Sequence, residues 1–297
     1  MTGDATHTQA EGLAGGVAHY ENFPVASWLC PAALRQPVTA IYHFARTADD
    51  LADEGTWTAT ERLAALRRYR LALDHVVSGA APDASAWPQV FQPLQVALRQ
   101  HRLPVRLLHD LLDAFEQDVR HTDSRHRYAC EDDLLDYCRL SANPVGRLLL
   151  HLYGISDTPA LVQSDRICSA LQLINFWQDL GVDLARGRDY LPTDLLEAHG
   201  LTPSHFSDGG WLRDTTLDPA RQAVVAHLCG HAREMMGSGA PLVHRLPGRF
   251  GWELRLVVQG GLRILDKIGS SGHRSWLRRP SVGRADLPRM IWRALLM

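Results

Sequence analysis

The sequence predicts an all-α protein, and three observations carry the prediction. Val, Ile and Thr do not alternate with polar residues over any length that would make a strand. Ala, Leu and Arg recur instead at steps of three and four in most segments. Ser, Thr, Asp and Pro stand where several of those segments begin, as helix starts require. The 297 residues suffice to bury roughly three quarters of the unfolded surface. No Pro/Gly/Ser-rich linker divides them, so one helical domain is expected over residues 17–268. Met1 to Gly16 has neither a basic opening nor an apolar run and reads as a disordered lead rather than a signal peptide. Residues 269–297 form a basic, aromatic C-terminal segment.

In order along the chain, the first helix is expected through Ile41 to Glu54. Ile41, Phe44, Ala45, Ala48 and Ala52 make its apolar stripe, and Tyr42, Arg46, Asp49 and Asp53 an adjacent polar one. A segment opening at Thr60-Glu61 carries Leu63, Leu66, Tyr69 and Leu73, and Ser78 to Pro88 is a loop. Leu103-Pro104 opens a helix with Leu107, Leu108, Leu111, Leu112 and Phe115 on its apolar side. The helical pattern around Tyr137 is broken by Pro144, and Gly146 lets a neighbouring backbone approach closely. A further helix packs through Leu171, Ile174, Trp177 and Leu180, while Gln172, Asn175, Asp179 and Asp183 share its other face. It leaves through Arg186-Gly187-Arg188-Asp189-Tyr190-Leu191-Pro192. Loops are expected at His199 to Asp208 and at Gly237 to Pro247.

Two of these helices carry the same carboxylate spacing. Asp49 lies over Asp53 and Asp179 over Asp183, one turn apart on one face. Like charges at that step destabilise a bare helix by about 0.2–0.5 kcal/mol per pair, so two such pairs among apolar neighbours call for a cation. Brought face to face, they suit several Mg²⁺ ions, each taking one or two carboxylates and filling its remaining positions with water and phosphate oxygens. A diphosphate is then the implied substrate. Arg46 neutralises the aspartates or meets the open side of that diphosphate.

The aspartate pairs, Arg46, Asn175, the Arg188-x-Tyr190-x-Pro192 exit and the run Asp136-Tyr137-Cys138-Arg139-Leu140-Ser141-Ala142-Asn143-Pro144-Val145-Gly146 resemble the trans-isoprenyl diphosphate synthases of the squalene and phytoene synthase type. The phrases Tyr20-Glu21-Asn22-Phe23-Pro24-Val25-Ala26-Ser27-Trp28 and Phe44 to Asp50 are most similar to bacterial hydroxysqualene synthases of hopanoid pathways. The resemblance implies a single-domain isoprenoid synthase fold whose central cavity is lined by two aspartate-rich helices. It implies metal ligation by Asp49, Asp53, Asp179 and Asp183, and substrate contacts from Arg46, Arg188, Tyr190 and Asn175, the last touching the metal or a metal ligand. Tyr137 is implied as an acid/base participant in the cavity, with a buried tyrosine bonded to a backbone carbonyl as the other reading.

Condensing relatives carry a His-Ser-x-Ser/Thr-Phe segment, where this chain has His19-Tyr20-Glu21-Asn22-Phe23. Tyr20 and Asn22 replace both diphosphate-binding hydroxyls, which fits an enzyme that starts from presqualene diphosphate and quenches its cation with water. Head-to-head condensation of farnesyl or longer prenyl diphosphates is the alternative within the family. NADPH is not expected, since water and not hydride ends the reaction.

The formal net charge of −2 gives no footprint for nucleic acid. No apolar run reaches the roughly 18 residues needed to span a bilayer, and the five scattered cysteines read as reduced residues of a cytoplasmic protein. Arg274, Arg278, Arg279, Arg284, Arg289 and Arg293, interleaved with Trp276, Leu277, Ile291, Trp292 and Leu295, read either as a membrane-surface contact or as a helix packed on its own domain. His227-Leu228-Cys229-Gly230-His231 has the spacing of two metal ligands but lacks a third. His109-Asp110 is the dipeptide of metal-dependent phosphohydrolases, the alternative of another class.

Overall fold

A computed structural model describes residues 30–206 and 215–297. The expected disordered lead and the two substrate-contact positions Tyr20 and Asn22 lie outside the described residues. Among the described residues there are eleven α-helices and no strand. They are α1 (Ala32–Asp53), α2 (Ala59–Val77), α3 (Pro88–His101), α4 (Val105–Ser124), α5 (Glu131–Ser141), α6 (Asn143–Leu152), α7 (Thr158–Ala185), α8 (Thr193–Ala198), α9 (Asp218–Gly239), α10 (Gly248–Ser270) and α11 (Leu287–Leu295). The fold is all-α, as the sequence predicts.

Helix starts follow local chemistry. Thr58, two residues before the expected Thr60, caps α2: its hydroxyl accepts the Glu61 N–H at 3.3 Å while the Glu61 carboxylate accepts the Thr58 N–H at 2.8 Å. Asp157 caps α7 by accepting the Ala160 N–H at 3.1 Å. The expected loop at Gly237 is instead the last turn of α9, followed by a 3₁₀ turn over Ala240–His244. Helix α1 begins well before Ile41 and accommodates Pro37 in its second turn, where proline removes one hydrogen bond without stopping the helix.

Apolar side chains gather in two clusters. One fills the space among α1, α2, α3 and α4 with Ile41, Phe44, Leu66, Tyr69, Phe91, Leu94, Leu108 and Leu111. The other joins α5, α7, α9 and α10 through Leu134, Leu173, Ile174, Trp177, Leu228, Val258 and Ile264. Helix α6 serves both, giving Leu148 and Leu152 to the first and Leu150 to the second. The break between α5 and α6 falls at Ala142, just before Pro144. Gly146 lies against α7, where an added Cβ would stand 2.4 Å from Ser164 Oγ and 2.5 Å from Cys168 Sγ. The predicted close approach at Gly146 is therefore a helix contact that any side chain would push apart.

The chain after α10 folds back over α7. Asp286 anchors it, accepting hydrogen bonds from Arg263 Nε at 2.7 Å and the Gly283 N–H at 2.8 Å and pairing with Lys267 Nζ at 2.6 Å. The Gly283 N–H first, then Lys267, hold its carboxyl far below the usual carboxylate range. The same segment brings the Trp276 backbone onto Gly181, whose Cβ, if present, would meet the Trp276 carbonyl oxygen at 2.4 Å. Gln178 donates to the Pro280 carbonyl at 2.8 Å.

Candidate active site

Between the two clusters lies a cavity of about 1450 Å³. Asp49 and Asp53 reach it from α1, Asp179 and Asp183 from α7, as do Arg46, Asn175 and Arg188. Leu171, Ile174, Val182, Gly260, Gly261 and Ile264 give it apolar wall. The helical spacing explains the convergence: each pair sits one turn apart beside the stripe that its helix buries.

Every pair is met by arginine. Arg46 Nη1 donates to Asp49 Oδ2 at 3.1 Å and its Nη2 lies 2.7 Å from Asp50 Oδ1. Arg188 donates to Asp53 across the cavity, and Arg186 stands 3.7 Å from the same carboxylate. The α7 exit aims Arg188: Gly187 takes a positive φ of 78°, and Asp189 pairs as an isolated bridge with Arg127. Arg279, from the returning segment, donates to Asp179 through Nε and Nη2 together, its Nη2 at 3.2 Å from Oδ2. Despite these charges, burial pushes the Asp49 carboxyl up to about 6, and burial followed by the charge of Asp179 pushes Asp183 up to about 7.

Hard carboxylate oxygens from two helices suit Mg²⁺. Among the described residues no three His, Cys, Asp or Glu side chains converge closely enough to enclose a metal by themselves.

Some sequence-predicted residues sit elsewhere. Tyr137 does not line the cavity; it is buried behind Asp118, and its hydroxyl donates to Asp118 Oδ2 at 2.8 Å instead of to a backbone carbonyl. Tyr190 is likewise set back, its ring stacked on Phe176 with centroids 3.7 Å apart. The aromatic rings of Phe44, Phe115, Phe176 and Trp177 are not among the cavity-lining residues. His227 and His231 both bind Glu131. His109 pairs with Asp74 at 3.3 Å and Asp110 with Arg106 at 2.7 Å, both apart from the cavity lining.

Sequence reasoning does not reach two further cavity residues. Arg279 belongs by sequence to the basic C-terminal segment, yet it lines the cavity. Asp118 belongs to no motif; its signal is a carboxylate on the apolar stripe Leu108, Leu111, Phe115, where a core residue is expected.

Residues 17–290 match the family model described as squalene/phytoene synthase. The chain belongs to the squalene/phytoene synthase family. It is 34% identical to the hydroxysqualene synthase of Rhodopseudomonas palustris, over 87% of this chain and 83% of that protein. With the hydroxysqualene synthase of Zymomonas mobilis it shares 40% identity over 72% and 68%. The crystal structure of squalene synthase HpnC from Alicyclobacillus acidocaldarius superposes with a TM-score of 0.74 at 34% identity, covering 86% of this chain and 90% of that one. This squalene/phytoene synthase family member is an isoprenoid synthase enzyme.

Proposed function

We propose that the enzyme converts presqualene diphosphate and water to hydroxysqualene and diphosphate. The observation that carries this reading is the convergence of both aspartate pairs, Arg46, Arg188 and Arg279 at one end of a cavity with apolar walls. Asp49, Asp53, Asp179 and Asp183 would hold Mg²⁺. When bound, the metal neutralises charge that develops on the departing diphosphate.

The protein's own groups do the rest. Arg46 and Arg188 orient the diphosphate and stabilise it as it leaves, being fixed in direction before the reaction begins. Asn175 lies one turn before Asp179 on the same face and would help to hold the metal or its ligands. Leu171, Ile174 and Ile264 shield the cyclopropylcarbinyl cation and the allylic cation it becomes. Water adds to the latter, so no NADPH is consumed. Tyr20 and Asn22, in place of the hydroxyl pair of condensing relatives, support a single-diphosphate substrate.

Purified protein should convert presqualene diphosphate with Mg²⁺ far better than farnesyl diphosphate, giving an alcohol that carries ¹⁸O from labelled water without NADPH. Efficient formation of squalene or phytoene from prenyl diphosphates would establish condensation instead.

A membrane-surface location accompanies this reading, since substrate and product are long hydrocarbons. Leu287, Ile291 and Leu295 recur along α11 at 46%, 50% and 55% exposure, beside Trp292 at 62%. Met290 and Ala294 face inward, so α11 packs on its own domain and still presents an apolar stripe. Arg278, Arg284 and Arg289 are exposed nearby in sequence, although Arg289 and Arg293 also reach Asp266. Among the described residues no helix is long and apolar enough to cross a bilayer. Co-sedimentation with anionic vesicles that weakens as salt rises is expected; no co-sedimentation at low salt would remove the membrane from the proposal.

A further inference from the structure

Asp118 is a cavity-lining carboxylate to which the reaction as proposed gives no task, and its surroundings are unusual. Of the other carboxylates lining the cavity, Asp49, Asp53, Glu54 and Asp179 are each bonded to an arginine. Asp118 instead receives a hydrogen bond from a phenol, the Tyr137 hydroxyl at 2.8 Å. That bond goes to Oδ2, and among the described residues no hydrogen bond to Oδ1 is found. One oxygen is thus held and the other remains available as an acceptor.

The residue is enclosed by the fold and yet partly accessible, as expected for a side chain that opens onto the cavity. Burial pushes its carboxyl up to about 7, against the Tyr137 hydrogen bond and the charge of Arg188. Aromatic rings back it: Tyr137 packs against Phe176 and Tyr190, with centroids 6.0 Å and 6.3 Å away. A carboxylate between a charged site and an aromatic wall is suited to a proton that appears after the diphosphate has gone.

We propose that Asp118 accepts the proton released when water adds to the rearranged allylic cation, with Tyr137 positioning its carboxylate. The inference rests on the reaction proposed above. In this step a lone pair of the water oxygen forms the new C–O bond to the cationic carbon. One O–H bond of that water breaks, its electrons staying on oxygen, and the proton goes to the Asp118 carboxylate. The products are the neutral alcohol and a protonated Asp118, which later returns its proton to solvent. Tyr137 is a positioning residue in this scheme, acting through Asp118.

The test is a product partition measured on full-length protein with Mg²⁺ and presqualene diphosphate. Diphosphate release is followed alongside the ratio of alcohol to hydrocarbon products, for wild type, Asp118→Asn and Tyr137→Phe. General base catalysis contributes about 10²–10⁴-fold. Asp118→Asn should therefore lower the alcohol share by about tenfold or more, with diphosphate release falling less, and cations escaping as proton-loss polyenes. Tyr137→Phe keeps the carboxylate and should move the partition in the same direction by a smaller factor.

An unchanged alcohol share in an Asp118→Asn protein that still releases diphosphate overturns the assignment while leaving the overall reaction intact. So does a larger shift in Tyr137→Phe than in Asp118→Asn, which would make the phenol the acceptor. If Asp118→Asn does not fold, Tyr137→Phe alone decides, an unchanged partition counting against the proposal. A wild-type enzyme that releases diphosphate but forms no alcohol overturns the proposed reaction itself, and this step with it.

Discussion

Asp49 on α1 is neutralised from its own helix, by Arg46 one turn earlier, while Asp53 meets Arg188 across the cavity. Asp179 on α7 has the same spacing to its partner and meets its cation, Arg279, from a segment a hundred residues further on. The contrast extends to the residue two places after the first aspartate. On α1 it is Leu51, packed against its own core; on α7 it is Gly181, kept bare because the Trp276 backbone crosses there. Identical motifs can therefore differ in what holds them: Asp49 leans on its own helix, whereas Asp53 and Asp179 depend on arginines that the tertiary fold brings in.

The largest expected effect would break the symmetry of function. Asp49→Asn or Asp179→Asn should each lower Mg²⁺-dependent turnover on the order of 100-fold or more, the scale for losing one group that stabilises developing charge, with helical content by circular dichroism unchanged. Near-normal turnover in both would sink the metal assignment. If only one variant were impaired, the two pairs would not serve one diphosphate.

The next effect separates the pairs structurally. Gly181→Ala adds a methyl group where backbone already stands, and backbone cannot swing aside as a side-chain tip can. It should destabilise the fold by roughly 1–3 kcal/mol, read as a lower denaturation midpoint, and loosen Arg279 from Asp179. Leu51→Ala, at the matching place on α1, should leave the returning segment undisturbed; limited proteolysis around residues 276–280 would distinguish the two.

These contrasts also mark what could be read from sequence. The helical class and both carboxylate pairs were legible because their signals are local: periods of three and four, and a one-turn step. Arg46 was legible for the same reason. Arg279 was not, since nothing in its neighbours separates an arginine turned to a cavity from one turned to solvent. Asp118 was hidden because an isolated polar residue on an apolar stripe gains meaning only when the stripe is seen to border a cavity. Tyr137 was found by resemblance, but its place behind Asp118 depends on how α4 and α5 pack.

The smallest effect concerns protons. Unfolded aspartate titrates near 3.8, whereas Asp49 is raised to about 6 and Asp183 to about 7 in the fold. Over that window the native state holds more protons than the unfolded one. These two groups therefore make metal-free protein less stable as pH rises from about 4 to about 7, and add no further slope above it. Denaturation series in a chelator should show Asp49→Asn removing the decline up to about pH 6 and Asp183→Asn removing it up to about pH 7. A slope unaltered in both variants would mean that other groups set it.

The contact between Arg279 and Asp179 also fixes an order in time. Translation adds about 5–20 residues per second, and the two partners are separated by 100 residues. On a translating ribosome the α7 aspartates thus wait about 5–20 s before their guanidinium partner is even made. Until then a growing chain can fold α1 to α4 around their own core with Asp49 paired to Arg46, while Asp53 waits for Arg188 beyond α7. The second pair gains its partner only from a later stretch of synthesis, so the complete charged end of the cavity is assembled last.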